Sequence, residues 1–389
     1  MRLVLRAARL GLSERVADVA VESGRVVAIA EPGLIQRVDH EADLDAAWLL
    51  PGLVNAHDHL DFSTFPALGA PPYSSVYAWA RDVDAGAGDP RVKQALAVPL
   101  SDRLFLGGLR NLLAGATAVA HHGAFHRSLA RDDFPVRVLA KYGFAHSPGL
   151  TPALRKTYRS SDRRIPWMVH AGEGTDPNLA GELEALAEAN VLRHNTVIAH
   201  GIAFGAPQAQ RMAEANACLV WCPESNRHLY AATADPKLYR EHDVRMGLGS
   251  DSPVSGVRDP LSNLACAAGL SGWDAASLLD LATRASAEVA RLAVGALAVG
   301  APADFVMTRS VDRLLSGERL AVDLVLVAGR PRYGQPALLD SLGVRAAPIA
   351  VDGEARALAE PLGSRAHGLL RGGARLQAAW LEGLRGTKT

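Results

Sequence analysis

Two histidines one residue apart, His57 and His59, close the apolar run Leu49-Leu-Pro-Gly-Leu-Val-Asn-Ala. On a β-strand successive side chains alternate faces, so these two project together and Asp58 projects the other way. Two imidazoles so placed are half of a metal site. Imidazole suits zinc, iron or nickel, and a catalytic centre adds further ligands and keeps one position for water. With thirteen histidines in the chain, a His-x-His pair arises readily by chance, so the remaining chemistry has to come from elsewhere.

Four later segments have the same form, a short apolar run ending in a residue able to ligate or move a proton. They are Trp167-Met-Val-His170-Ala-Gly-Glu173, Thr196-Val-Ile-Ala-His200-Gly, Cys218-Leu-Val-Trp221-Cys222-Pro-Glu-Ser225-Asn226 and Met246-Gly-Leu-Gly-Ser-Asp251-Ser. Helical-looking stretches separate them. Strand, loop and helix repeated, with functional residues at the C-terminal ends of the strands, is how a (β/α) barrel assembles a site at one mouth.

The motifs PGLVNAHDH (51–59), VHAGEG (169–174), IAHG (198–201), CPESN (222–226) and GLGSDS (247–252), in that order, resemble the metal-dependent amidohydrolase superfamily, in particular its mononuclear cytosine, guanine and adenosine-type deaminase branch. The resemblance covers roughly residues 1–345. It implies one divalent metal, zinc first and iron second, held by His57, His59, His170 and Asp251. It further implies that Glu173 shuttles protons and that His200 orients the attacking hydroxide or the substrate. The fold it implies is α/β, a TIM-like (β/α) barrel beside a small β-sandwich made from the two chain ends.

A metal in such a site brings the pKa of water to about 7 and makes hydroxide available at neutral pH. Asp251 can contact the metal and accept the water proton, while Glu173 is placed to protonate a ring or leaving nitrogen. This is the chemistry of a hydrolase of C–N bonds, preferentially one deaminating an amino-heterocycle by attack of metal-activated hydroxide. Hydrolysis of a cyclic amide, imine or halide at the same metal is the alternative, and a catalytically silent binding protein is a further one that normally requires lost ligands. Ordinary structural roles compete residue by residue. Glu173 could close a loop-end salt bridge, and Asn226 and its CPESN neighbours could orient ligands rather than react.

The elements that must position these residues fit in a chain of 389 residues that is 49% hydrophobic, long enough for a barrel and a smaller domain. Lysine plus arginine balances aspartate plus glutamate at 41 each, so nothing suggests nucleic acid or an anionic membrane as partner, and a small-molecule substrate is expected. Arginines break the N-terminal apolar run and no segment approaches the roughly 18 apolar residues of a membrane span. The expected location is the cytoplasm. Cys218, Cys222 and Cys266 make no disulfide framework and read as ordinary thiols, Cys218 and Cys222 sharing a strand face.

The expected division is a composite β-sandwich from 1–48 and 297–345, a barrel over 49–296 and a helical tail over 346–389. Glu22-Ser-Gly24 reads as a turn between N-terminal strands. Residues 60–98 form a long connection whose aromatics, Phe62, Phe65, Tyr73, Tyr77 and Trp79, either wall the substrate or make a local core; Phe62 and Tyr73 are the expected contacts. A helix is expected from Ser101, as N-cap, to Ala114. The strand ending at His121-His122 should aim one histidine at the mouth, as wall more readily than as ligand. His122, His146 and Asn226 complete the candidate substrate contacts, with Trp221 and His228 weaker wall candidates.

Pro135 to His146 reads as one strand, which leaves the barrel distorted or short of one unit. Lys141 within it raises the alternative of a carboxylated lysine bridging two metals. Glu182, Glu184 and Glu188 read as a solvated helix face. In the tail, Leu369, Leu370, Leu376, Trp380, Leu381 and Leu384 recur at near-helical spacing and should pack on the body or on a sister subunit, which leaves a homo-oligomer open.

Overall fold

The computed structural model describes residues 1–372 and 378–386. Eight parallel strands follow one another in chain order: β1 (Leu53–Asp58), β2 (Ala116–His121), β3 (Arg137–Val138), β4 (Gly143–Phe144), β5 (Trp167–Ala171), β6 (Thr196–His200), β7 (Cys218–Trp221) and β8 (Arg245–Leu248). They lie in one sheet of three strands, β1-β2-β3, and one of five, β4 to β8. The far ends of the two sheets meet at a parallel bridge between Asp58 and Asp251. There the Asp251 amide donates to the His57 carbonyl, and the His59 amide to the Asp251 carbonyl, each at 3.0 Å.

The single strand expected over Pro135–His146 is two strands of two residues each. The segment continues the β2 ladder as far as Leu139, whose amide bonds Val119. Tyr142 then anchors the crossing with its hydroxyl on the Gly123 carbonyl at 2.8 Å, and Gly143 joins the other sheet beside Trp167. A Cβ at Gly143 would lie 1.8 Å from Ser161 Oγ, so only glycine admits this approach. The strand complement is therefore eight, and the unit short of its helix among the described residues is the β3–β4 connection.

Strand alternation decides which residues see the interior. Met168, Val197, Cys218, Val220 and Cys222 share one small apolar cluster with Ala56 and Ala120. Trp167, Val169, Ile198, Leu219 and Trp221 point the other way, into the large core under the helices. Trp221 is accordingly not a mouth residue. It is fully buried, its indole donating to Thr233 at 2.8 Å. By the same parity Cys218 and Cys222 share a face as expected, and all three cysteines are free.

Helix α1 (Leu100–Leu113) buries Leu104, Phe105, Leu109, Leu112 and Leu113, the residues whose spacing announces it. Its N-cap is Pro99; Ser101 lies within the first turn. The connection before it is no open loop: it carries helices Val76–Ala85 and Pro90–Ala97 and a core of its own from Phe65, Leu68, Val92 and Ala95.

Both chain ends enter one eleven-stranded sheet. The turn at Ser23-Gly24 has φ of 51° and 79°, the left-handed pair of a tight hairpin. Trp48–Pro51 pairs with Phe305–Thr308, so the sheet holds the chain until one residue before β1. The tail departs from expectation. Residues Ala346–Val351 and Glu354–Ala359 form a hairpin that extends this sheet, turned by Asp352-Gly353 with φ of 48° and 86°. Among the described residues of the tail only Leu362–Gly372 is α-helical, and Leu376 lies outside the described residues.

Beyond it Trp380 is 1% exposed and donates its indole N–H to the Ser63 carbonyl at 2.6 Å, just past the His57-x-His59 pair. Arg319 binds the Trp380 carbonyl at 2.7 Å and pairs with Asp352. The tail thus packs on the body of its own chain. No described helix is long and apolar enough to cross a membrane. Trp380→Ala should destabilise the protein by about 3–5 kcal/mol through the cavity it leaves, and Trp380→Phe by about 1 kcal/mol for the lost hydrogen bond. Denaturant unfolding checks both, and equal losses would contradict the role given to the indole N–H.

Candidate metal centre and active site

Four donors from three strand ends converge. His170 Nε2 lies 3.2 Å from His57 Nε2 and 3.3 Å from His59 Nε2. Asp251 Oδ1 lies 3.9 Å from His57 Nε2 and 3.5 Å from His59 Nε2. Around an ion with bonds of about 2.1 Å, tetrahedral ligand atoms stand about 3.4 Å apart, which these separations match. Burial, followed by neighbouring histidines, holds the protonation of His57, His59 and His170 well below the ordinary imidazole range. Neutral imidazole is the form that binds metal. The donor set therefore fits one divalent ion.

The backbone is shaped to present these groups. Asp251 and His200 adopt φ of 57° and 77°, left-handed values that other residues rarely take and that collect at functional sites. Ser255 donates to Asp251 Oδ2 at 2.7 Å, leaving Oδ1 toward the histidines. Gly249 passes so close behind β1 that a Cβ there would stand 2.6 Å from His57 Cβ.

Next to the donors is a second group, built around a buried carboxyl. Glu173 Oε1 accepts from Tyr230 Oη at 2.7 Å and lies 3.6 Å from His200 Nε2. Burial pushes the Glu173 carboxyl up to about 7, with His200 opposing. Such a group both gives and takes a proton near neutrality. His200 Nδ1 lies 2.7 Å from Asn226 Oδ1, so Asn226 orients His200 instead of facing the mouth. Tyr230 escaped the sequence reading, although it sits four residues after Asn226 on helix α2 (Pro223–Tyr230), where that spacing shares a face.

The other candidates separate cleanly. Phe62 stacks on His59 with ring centroids 5.6 Å apart, at the donor cluster. His146 is exposed, its ring 4.8 Å from His170 and its Nδ1 on Ser147. Tyr73 is committed to its own loop, its hydroxyl bonded to Asp82 and the Ala70 amide. Of the histidine pair it is His122 that reaches the cluster; His57, His59, His122 and His170 each offer a nitrogen, all within 4.8 Å of one another. His121 instead accepts from the Leu60 amide. Lys141 and His228 are exposed, and Lys141 is not among the residues that converge.

Glu182 is not on a solvated face. It is buried, bonded by Tyr77 and by the Gly172 amide at 2.7 Å, and so holds the turn between His170 and Glu173. Glu184 pairs with Arg211 and Glu188 is exposed. Asp58, projecting away from the two histidines, is wholly buried against α1. It accepts from Arg110 at 2.6 Å, Asn111 at 2.7 Å and Asn55 at 2.9 Å. Burial raises its carboxyl to about 6, against the pull of Arg110. Asn55 also accepts from the Ser250 amide at 2.9 Å, tying the His57 and Asp251 strand ends together.

Residues 133–331 match the model of the Amidohydrolase family. A protein of Natronomonas pharaonis named 5-methylthioadenosine/S-adenosylhomocysteine deaminase is 28% identical over 165 residues, a match spanning 38% of either chain. One of the same name from Halobacterium salinarum is 24% identical over 350 residues, 75% of this chain and 81% of that one. Among solved structures, an adenosine deaminase from Xanthomonas campestris with bound zinc superposes with a TM-score of 0.72 at 19% identity, covering 87% of this chain and 94% of its own. The chain belongs to the amidohydrolase family and is a hydrolytic enzyme.

Proposed function

We propose that this enzyme deaminates an amino-heterocycle of the aminopurine type, at one zinc ion held by His57, His59 and His170 through Nε2 and by Asp251 through Oδ1. The observation that carries the reading is the Tyr230–Glu173–His200 group set against that donor cluster. The names of the curated relatives and of the zinc-bearing structural neighbour support the substrate class and the metal. What a divalent ion contributes in such a site is hydroxide at neutral pH.

The chain's own residues supply the rest. Asp251 Oδ1 is the base beside the point of attack. Glu173, with a proton affinity near neutrality, protonates the ring nitrogen adjacent to the amino-bearing carbon, which becomes tetrahedral as hydroxyl adds. A further proton transfer to the amino group lets ammonia leave. Tyr230 fixes the Glu173 carboxyl by one oxygen and leaves the other for substrate. His200, held by Asn226, presents Nε2 beside the reacting carbon. Phe62 offers an apolar face for a flat ring, and His146 stands at the rim.

We read the two parallel sheets as the arcs of one TIM-like barrel, from the chain order of the strands and the Asp58–Asp251 bridge. The working division is an end domain from both termini, extended by the 346–359 hairpin, and a barrel domain between. Three free thiols favour a reducing, cytoplasmic location.

Glu173→Gln preserves shape and hydrogen bonding but cannot cycle a proton, so kcat should fall about a hundredfold or more with bound zinc unchanged. Metal analysis beside turnover checks this, and undiminished turnover would move proton transfer to Asp251 alone. Incubation with aminopurines, aminopyrimidines and aminotriazines should release ammonia without opening the ring. Ring opening without ammonia would favour cyclic amides, and halide release would favour dehalogenation.

A further inference from the structure

The imidazole of His122 is packed into the donor cluster, where each of its nitrogens already has a partner. Its Nε2 lies 2.9 Å from the Ala145 carbonyl oxygen, and its Nδ1 lies 3.3 Å from His57 Nδ1. The face of His57 that looks at His170 and Asp251 is the opposite one, Nε2. We propose that His122 is a positioning residue that fixes the tautomer of His57 and thereby keeps its Nε2 lone pair aimed at the metal.

The assignment follows from counting protons. A carbonyl oxygen only accepts, so the hydrogen of a neutral His122 is on Nε2. Nδ1 is then bare, and the one arrangement that makes a hydrogen bond at 3.3 Å puts a hydrogen on His57 Nδ1. A neutral His57 carrying that hydrogen has none on Nε2. A second proton on His122 would bury a cation among imidazoles and turn the His57 lone pair away from the centre. Ligand histidines commonly donate their distal N–H to a carbonyl or carboxylate; here that acceptor is a second histidine, itself held by a main-chain carbonyl.

This inference rests on the ligand set proposed above, and the test separates the two. Zinc affinity of the full-length enzyme is measured by chelator competition, with unfolding of the metal-free protein as the folding control. His122→Phe keeps a ring but removes the acceptor, and should weaken zinc binding about 10- to 100-fold. His122→Asn places Oδ1 where Nδ1 stood and should restore most of that loss, whereas His122→Gln, which reaches only toward Ala145, should not. Should His122→Phe fail to fold, the same split between Asn and Gln decides. Zinc affinity in His122→Phe within about twofold of the parent would overturn the proposal, as would equal losses in Asn, Gln and Phe. His57→Ala must weaken binding more than any of these; if it does not, the ligand set itself fails and the proposal with it.

Discussion

Three imidazole nitrogens and a carboxylate oxygen crowd together in the interior, His170 standing 3.2 and 3.3 Å and Asp251 3.9 and 3.5 Å from His57 and His59. Lone pairs aimed at a common point repel, and each neutral ring has one hydrogen to offer, so the arrangement is costly unless a cation occupies its centre. Most of what is unusual nearby serves to hold it. Asp251 accepts a left-handed backbone conformation, Gly249 gives up its side chain to let two strand ends touch, and the Asp251 backbone is hydrogen-bonded to both His57 and His59.

The support behind β1 is itself ionic. Asp58 and Arg110 are both fully buried. Removing either partner of such a pair typically costs about 3–5 kcal/mol, because the other charge is stranded. What the pair secures is registry: Asp58, Asn55, Asn111 and Ser250 make a polar seam joining α1, β1 and the residues after β8. On the mouth side, α2 delivers Asn226 to His200 and Tyr230 to Glu173 from successive turns. One short helix thus sets the geometry of both proton-handling groups.

The ends of the strands were legible because each motif follows an apolar run, and the His-x-His spacing fixed side-chain direction by alternation alone. The same parity argument, applied to Cys218, Val220 and Cys222, would have turned Trp221 outward and removed it from the mouth. The Asp352-Gly353 hairpin was equally readable, a turn dipeptide between alternating runs, but leucine spacing further along drew the whole tail into a helix. Other features were not legible in principle. Whether an acidic residue such as Glu182 turns in or out depends on the amide of Gly172, ten positions away. The crossing at Tyr142 depends on a carbonyl brought near only by the fold. Which of His121 and His122 joins the cluster is decided by a strand end that sequence periodicity places only to within a residue or two.

The account stands on the identity of the four donors. A crystal of the zinc-loaded enzyme, with anomalous differences recorded on both sides of the zinc absorption edge, tests it most directly. The prediction is one anomalous peak per chain, about 2.0–2.2 Å from Nε2 of His57, His59 and His170 and from an Asp251 oxygen, with His122 outside bonding distance. A peak bonded to His122 in place of Asp251, or a second peak, would contradict it.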